Sequence, residues 1–465
     1  MSKDLPIKSF HLPVSIFQNI LDFPATLLFA LSGMFGLAHY ARQIVCVRPR
    51  QPAVLKLKSA DDLTSLAEWV DGNVPSLSGV FQPSWWLPNG HIQTMYSVFA
   101  NFTKVDQVHY VRTYLRVPDG GTISLDTTPP SHAALPKDAP TVVVCHGLTG
   151  GSHESYVRNV LAWVVKPKSE GGLGGRGVVV NFRGCAGTPV TSAQLYSAAT
   201  TIDLHTSLHY LRYTYPSSSL QGIGFSLGAS VLSRYLGESA SSCLLSSAIV
   251  LGCPWDIPRM STTLETGWFS SHVYSHALAS NLLRLFFLHY DKNPKLFERD
   301  ELARRHVSKL KELRQMGRGA RLKLVDEVLT SQIGGPRREG MWPFAGADEY
   351  YNWGSASRKI GAVGIPTLAI NAFDDPIIDG ASLPLEEFLS STHVYAAITG
   401  GGGHLGWFDG GIFSKTRWIL TPVREFFTAA ARDLPSKGTV ETEVKGGWTW
   451  VQGDVGDEGW VGWKV

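Results

Sequence analysis

The stretch Gly222-Ile223-Gly224-Phe225-Ser226-Leu227-Gly228-Ala229 decides how this chain folds, because it meets several demands of a nucleophilic serine at once. The apolar run 220–225 is typical of a short buried strand, and the apolar spacing over 227–236 is typical of a helix. Ser226 is therefore predicted at a strand-to-helix corner. In a nucleophile elbow, a strained corner exposes the serine hydroxyl, and glycines two residues away on each side leave room for neighbouring elements. Gly224 and Gly228 occupy those positions.

The five-residue pattern Gly-x-Ser-x-Gly is weak evidence by itself, because a chain with 47 glycines meets it by chance. The alternative is a Gly/Ser turn between two packed elements. Context favours the nucleophile, since a strand precedes the motif, a helix follows it, and the other parts of a hydrolytic site come later in the chain.

Length and composition describe a large globular protein. Of the 465 residues, 44% are hydrophobic and 17% are charged, so one large α/β domain with insertions can absorb most of the chain. A net charge of +3 gives no argument for a nucleic-acid partner, and a lipid or another apolar substrate fits better. The cysteines have neither paired nor zinc-binding spacing, which indicates a reducing compartment. They are Cys46, Cys145, Cys185, Cys243 and Cys253.

The first 50 residues form an N-terminal segment in which residues 23–41 contain no Asp, Glu, Lys or Arg. A bilayer span needs about 20 apolar residues, so this segment is borderline. Three interpretations stay open: a membrane anchor, a surface association with a membrane, and a helix that covers an apolar patch of the protein. No clean small-residue cleavage pattern follows, which argues against a signal peptide. Basic residues between 42 and 58 predict that the rest of the chain stays in the cytosol.

Residues 51–135 form an extension that carries the first strands. The stretch 84–94, Ser-Trp-Trp-Leu-Pro-Asn-Gly-His-Ile-Gln-Thr, is an aromatic-rich turn that leads into a helix, and residue chemistry alone does not give its role. Residues 108–117 alternate as a strand does, and Gly120-Gly121 is a hairpin signal. Residues 122–126 are predicted to return as the partner strand.

Residues 136–435 repeat a pattern of buried strand, glycine-rich turn and helix, which predicts a mostly parallel sheet flanked by helices. The first such strand leads into the glycine-rich loop 146–151. Its backbone can supply one oxyanion donor, assigned to the N–H of Leu148, and the N–H of Leu227 after the nucleophile supplies the other. His146 in this loop is interpreted as structural.

The interval from about 255 to 360 interrupts that pattern. It is first rich in Leu and Phe and then strongly charged. A helical, amphipathic insertion of this kind is typical of a cap over an active site. The alternative is a set of ordinary surface helices whose basic residues face solvent.

Two later motifs supply a carboxylate and a base. Asp374 and Asp375 directly follow the strand predicted over 365–371, where a carboxylate can orient a histidine ring and stabilise its charged form. We choose Asp375 for this role and interpret Asp374 as a cap or brace of the turn. The four glycines 400–403 leave the backbone free to carry His404 towards the nucleophile, so His404 is the predicted base.

The order Ser226, Asp375, His404 and six stretches of sequence resemble one known group. The stretches are 86–94, 146–156, 181–185, 224–228, 371–376 and 403–407. They resemble the α/β-hydrolases that include the YheT-type bacterial esterases, the mammalian hydrolase-domain proteins of the phospholipid and acylglycerol type, and the yeast medium-chain fatty acid ethyl ester synthases. The resemblance runs from about residue 80 to 430. It implies an α/β-hydrolase fold with a helical cap, and a triad of Ser226, Asp375 and His404.

The implied function is that of a serine esterase or lipase. Ser226 would form an acyl-enzyme from a medium-chain acyl ester or thioester, and water or an alcohol would accept the acyl group. His404 and Asp409 share the His-x4-Asp spacing of the ester synthase relatives, so Asp409 is either a mark of acyl transfer or a residue that starts a helix. No metal or organic cofactor is needed.

Two other functions stay open. One is an acyltransferase or tailoring hydrolase of fungal-type secondary metabolism that acts on a polyketide or acyl thioester. The other is a non-catalytic hydrolase-fold binding protein, whose mark would be a missing triad residue. The Trp- and Gly-rich tail, residues 436–465, predicts no function.

Overall fold

The computed structural model describes residues 44–59, 63–337, 341–451 and 461–465. Within these ranges the chain forms 14 strands and 14 α-helices. The strands are β1 (Ile44–Val47), β2 (Val54–Lys56), β3 (Leu63–Ser65), β4 (Val111–Arg116), β5 (Thr122–Thr128), β6 (Thr141–Cys145), β7 (Arg176–Asn181), β8 (Leu220–Phe225), β9 (Ser247–Leu251), β10 (Thr367–Ala372), β11 (Val394–Thr399), β12 (Thr442–Lys445), β13 (Trp448–Val451) and β14 (Val461–Trp463). The helices are α1 (Leu66–Asn73), α2 (Gly90–Phe99), α3 (Ser155–Val165), α4 (Ile202–Thr214), α5 (Leu227–Ser239), α6 (Ile257–Thr266), α7 (His276–Tyr290), α8 (Pro294–Glu298), α9 (Glu301–Gln315), α10 (Leu322–Val328), α11 (Thr330–Ile333), α12 (Ala347–Gly354), α13 (Leu385–Ser390) and α14 (Leu420–Asp433).

The central sheet has nine strands in the order β1-β11-β10-β9-β8-β6-β7-β5-β4. Strands β6 to β11 run parallel, and β1, β5 and β4 pair antiparallel at the two edges. The predicted mostly parallel sheet is therefore confirmed. Parallel strands end at the same edge of a sheet. The loops that follow β6, β8, β10 and β11 therefore all lie along one edge of this sheet.

The parallel strands are apolar along their whole length because helices cover both faces of the sheet. Val143 and Cys145 belong to the cluster that packs α4 and α5 on one face. Val142 and Val144 belong to the cluster that packs α1, α3 and α14 on the other face. This alternation within one β-branched run explains why β6 shows no polar side.

The interval between β9 and β10 is a helical insertion that contains α6 to α12. Its apolar residues form a cluster of their own, centred on α7 and α9. Helix α9 buries Ala303, Val307, Leu310 and Leu313, which recur every three or four residues, and exposes the charged positions between them. The predicted helical and amphipathic character of the insertion is confirmed.

The C-terminal tail forms a separate antiparallel sheet, β12-β13-β14. Trp463 is buried and packs its ring against Tyr210 and Tyr213 of α4. The backbone of Lys464 bonds that of Arg116 at the end of β4. The tail therefore covers α4 and joins the far edge of the main sheet.

The first strand among the described residues is β1. It pairs antiparallel with β11, from Ile44 opposite Thr399 to Val47 opposite Ala396. The predicted apolar segment 23–41 lies outside the described residues. No helix within the described ranges has the length and apolar character that a bilayer span requires.

The anchor interpretation of residues 23–41 predicts that deleting residues 1–41 moves the protein from the membrane pellet to the supernatant and leaves its melting temperature unchanged, because β1 is kept. Deleting residues 1–47 should also lower the melting temperature by roughly 5 °C, because the polar backbone of β11 loses its edge partner. Fractionation of cell lysates and thermal unfolding measure the two effects. An unchanged distribution of the 1–41 deletion between pellet and supernatant would contradict the anchor.

Candidate active site

Ser226 occupies the corner between β8 and α5, as the sequence predicts. Its backbone has φ 52° and ψ −121°, a conformation that L-residues rarely adopt, and its N–H donates to the carbonyl of Leu251 at 2.9 Å. A Cβ at Gly224 would lie 2.6 Å from Cα of Ala229, and one at Gly228 would lie 2.3 Å from the carbonyl oxygen of Cys145. The two glycines are therefore required by the close packing around the strained serine.

The structure brings Ser226, Asp375 and His404 together although they are far apart in sequence. Nε2 of His404 lies 2.7 Å from Oγ of Ser226, and Nδ1 lies 2.7 Å from Oδ2 of Asp375. Each residue follows a different parallel strand, β8, β10 and β11 respectively. This arrangement can move a proton from a serine hydroxyl to an imidazole that a carboxylate orients.

The Asp375 carboxylate is held so that only one oxygen faces the histidine. Oδ1 accepts the backbone N–H groups of Ile377 and Ile378 at 2.8 and 3.1 Å, and the side chain is fully buried. Oδ2 then accepts the Nδ1 proton of His404. This places the lone pair of the neutral ring on Nε2, where it can accept the proton of Ser226.

The loop after β6 leaves one backbone donor unpaired next to the serine. The N–H of Gly147 donates to the hydroxyl of Tyr156 at 3.1 Å, and the N–H of Thr149 donates to the hydroxyl of Tyr196 at 2.9 Å. Leu148 lies between them, and its N–H has no partner among the described residues. The same holds for the N–H of Leu227, the first residue of α5. These are the two donors that the sequence analysis assigned to an oxyanion.

His146, the first residue of the same loop, is enclosed by backbone groups. Its Nδ1 donates to the carbonyl of Gly147 at 2.7 Å, and its Nε2 accepts the N–H of Phe182 at 3.2 Å. Burial lowers the pKa of His146 to about 4, so the ring stays neutral. Both nitrogens are occupied, in agreement with the structural interpretation from sequence.

Helix α2 holds the loop that carries His404, a role that the sequence analysis did not find. Oγ1 of Thr94 accepts the backbone N–H of His404 at 2.8 Å and donates to the carbonyl of Gly90. The side chain of Gln93 accepts the N–H of Phe408 at 2.7 Å and donates to its carbonyl at 3.2 Å. Ser97 donates to the carbonyl of Leu405. The stretch 84–94 thus contains two of the three side chains that fix the position of the His404 loop, Gln93 and Thr94.

The His404 loop needs this support because its backbone is strained. Leu405 and Trp407 have φ values of 59° and 47°, in the left-handed region that side chains with a Cβ rarely adopt. A Cβ at Gly403 would lie 2.3 Å from the carbonyl oxygen of Gly90. Glycine at position 403 is therefore what lets the loop approach the first turn of α2.

Asp374 also holds the His404 loop, whereas the sequence analysis interpreted it as a cap or brace of its own turn. Its Oδ1 accepts the N–H of Gly403 at 2.8 Å. Burial raises the pKa of Asp374 to about 7, the hydrogen bond from Gly403 opposes this rise, and the charge of Asp375 adds to it.

Asp409 does not start a helix, which was one of the two interpretations that the sequence allowed. No α-helix begins at this residue, so its interpretation as a helix start is wrong. Its backbone N–H and its Oδ1 bond the backbone and the hydroxyl of Thr416, at 3.4 and 2.6 Å, and close a surface loop.

A cavity of about 1950 Å³ lies over the site, between the sheet edge and the helical insertion. Ser226, His404, Leu148 and Leu227 line its floor. Four leucines of α7 form an apolar wall, and large apolar side chains that line the cavity are also exposed at its rim. The wall consists of Leu278, Leu282, Leu285 and Leu288, and the exposed rim includes Val98, Val111, Tyr114 and Trp268.

The sequence of the chain is similar to those of several known proteins. No family model matches the chain. The chain is similar to a protein of Dictyostelium discoideum named "Abhydrolase domain-containing protein", with 30% identity over 70% of this chain and 75% of that protein. It is 29% identical to "Monoacylglycerol lipase" of Saccharomyces cerevisiae, over 81% of this chain and 85% of the relative. It is 27% identical to "Medium-chain fatty acid ethyl ester synthase/esterase 2" of the same yeast, over 80% and 91%. Among solved structures, an esterase of Pyrococcus furiosus is similar with a TM-score of 0.41 and 13% identity, over 70% of this chain and 94% of that one.

Replacing Thr94 by Val should lower kcat/KM for any ester that the protein cleaves by roughly 10- to 100-fold, because the His404 backbone loses its acceptor while side-chain volume is kept. Thr206→Val is the matched control, since Thr206 is also buried in a helix and donates to the carbonyl four residues earlier. The melting temperatures of the two variants should be similar. Equal activity in both would show that Thr94 does not position the base.

Asp374→Asn should remove a pH dependence of stability. The folded state binds the Asp374 proton more tightly than the unfolded chain, so the wild-type protein loses stability as the pH rises from about 4 to about 7. Asparagine keeps an acceptor for the Gly403 N–H and does not titrate. Urea unfolding across this range should show the wild type losing on the order of 3 kcal/mol relative to the variant. Parallel pH curves would contradict the raised pKa.

Proposed function

The chain belongs to the α/β-hydrolase family, and we propose that it is a serine esterase or lipase that cleaves medium-chain acyl esters or thioesters through an acyl-enzyme on Ser226. The observation that carries the proposal is the hydrogen-bonded series from Oγ of Ser226 through His404 to Asp375, with 2.7 Å at each step. A non-catalytic binding protein would have no use for a strained serine beside an oriented imidazole.

In the proposed reaction, Oγ of Ser226 attacks the carbonyl carbon while Nε2 of His404 takes its proton. The N–H groups of Leu148 and Leu227 bind the oxyanion, and removal of one such donor typically slows acyl transfer by about 10²–10³-fold. His404 then gives its proton to the departing alcohol or thiol, which leaves the acyl group on Ser226. Water then attacks the acyl carbonyl while Nε2 of His404 takes its proton. His404 returns this proton to Oγ of Ser226 as the bond to the acyl group breaks, which releases the carboxylic acid.

The lining of the cavity supports a substrate with a hydrocarbon acyl chain, because the leucines of α7 form an apolar wall. Its volume of about 1950 Å³ exceeds the range of about 300–1,000 Å³ that is usual for small-ligand pockets, so the cavity has room for a lipid-sized ester. The name of one yeast relative, "Medium-chain fatty acid ethyl ester synthase/esterase 2", favours medium chains. An acyl thioester of secondary metabolism would use the same groups, so a substrate panel must separate it from a lipid ester.

Acyl transfer to an alcohol is a second proposed activity. The alcohol would replace water as the acceptor on the same acyl-enzyme. Two observations favour it, the apolar leucine wall of the cavity and the ester synthase relative. We propose that the competition between water and alcohol for the acyl-enzyme decides the product.

Ser226→Ala should abolish labelling by a fluorophosphonate and lower kcat by roughly 10⁴-fold or more, because the acyl-enzyme can no longer form. Its melting temperature should be unchanged, since alanine keeps the Cβ. Ser230→Ala is the matched control, because Ser230 lies one turn further along α5 and its buried hydroxyl has no partner among the described residues. This control should label and turn over like the wild type.

A substrate panel completes the test. It compares p-nitrophenyl esters of increasing chain length, monoacylglycerol, and acyl-coenzyme A with and without ethanol. Hydrolysis or ethyl ester formation that persists in Ser226→Ala would overturn the proposed mechanism.

A further inference from the structure

A buried carboxylate that the proposed reaction does not use lines the same cavity as Ser226. Asp326 lies on α10 of the helical insertion and is only 7% exposed. Its Oδ1 accepts the hydroxyl of Thr330 at 2.5 Å, and its Oδ2 accepts the hydroxyl of Tyr351 at 2.7 Å. These two bonds tie α10 to α11 and α12.

Asp326 has no cationic partner among the described residues. The guanidinium of Arg321, the residue that precedes α10, pairs with Glu265 at 3.8 Å. Burial raises the pKa of Asp326 to about 6, so the carboxylate is still mostly ionised at about pH 7.5. The two hydroxyl donors stabilise the carboxylate in part, but a buried charge without a cationic partner is costly. The carboxylate therefore lines the cavity with a negative charge that no described cation neutralises.

The surroundings of the carboxylate match a polar ligand. Each carboxylate oxygen can accept two hydrogen bonds and has used one, so both retain acceptor capacity. The ring of Tyr350 also lines this part of the cavity, and aromatic faces attract cations. The leucine wall of α7, by contrast, is apolar and is suited to a hydrocarbon chain.

We propose that Asp326 determines substrate specificity by binding a hydroxyl or ammonium group in the alcohol part of the ester, while the acyl chain lies along the α7 leucines. This inference rests on the proposed esterase function and names the substrate class for that site. The selected substrates would be esters of polyols or of amino alcohols, and esters of plain alkanols would lose this interaction.

The test compares pairs of esters that differ only in the group offered to Asp326. One pair is decanoylcholine and its neutral carbon isostere, 3,3-dimethylbutyl decanoate, and the other is monodecanoylglycerol and butyl decanoate. For at least one pair the wild type should show the higher kcat/KM for the polar ester. Asp326→Asn should lower that ratio about tenfold, the usual scale for loss of one charge-assisted contact. The pair that responds identifies ammonium or hydroxyl as the ligand.

Tyr351→Phe is the matched control, because it removes one bond of the brace and keeps the carboxylate. It should change both members of a pair by the same factor and leave the ratio at the wild-type value. An unchanged ratio in Asp326→Asn, or equal kcat/KM for both members of each pair in the wild type, would overturn the inference.

Wild-type inhibition gives a second measurement that does not depend on folding of the variant. Choline or glycerol should inhibit hydrolysis of a p-nitrophenyl ester more strongly than 3,3-dimethylbutanol does, and the reverse order would contradict the role of Asp326. Failure of the proposed function is distinguishable, because the wild type would then cleave neither member of any pair.

Discussion

The shared direction of the central strands is the constraint on which the site depends. Ser226, Asp375 and His404 each follow the end of a parallel strand, and β8, β9, β10 and β11 are consecutive neighbours in the sheet. Parallel hydrogen bonding fixes the relative heights of these strand ends, with Phe225 opposite Leu251 and Ala372 opposite Thr399. Three side chains from distant parts of the chain therefore meet without any local sequence that links them.

The site combines strain with compensation from outside the sheet. Ser226, Leu405 and Trp407 all have backbone conformations that cost free energy, on the order of 1–3 kcal/mol each. The serine is held by its bond to Leu251, and the histidine loop is held by Thr94 and Gln93 of α2. Helix α2 comes before β4 in the chain and lies outside the repeat of strands and helices. A part of the chain outside that repeat therefore holds His404 in place.

Much of the fold and the positions of the candidate residues could be predicted from local pattern. The strand over 220–225 and the helix after it follow from apolar spacing, and the glycines at 224 and 228 mark the corner between them. The roles of Thr94, Tyr156 and Tyr196 could not be predicted, because each bonds a backbone group in a loop that is remote in sequence or lacks a pattern of its own. The interpretation of Asp409 as a helix start is wrong, because its side chain bonds Thr416 and closes a surface loop that no local pattern indicated.

The support of His404 by α2 has a consequence for how activity arises during biosynthesis. A nascent chain that has emerged as far as the nucleophile elbow carries the serine but neither the imidazole nor the carboxylate. The hydroxyl oxygen of Thr94 on α2 then still lacks the N–H of His404 as its donor. Only when the glycine loop after β11 leaves the ribosome can the N-terminal and C-terminal parts close on each other. Under the proposed function, reactivity towards acyl groups therefore requires residues 94 and 404 in one folded chain, and a proteolytic fragment from either side of the insertion lacks part of the triad.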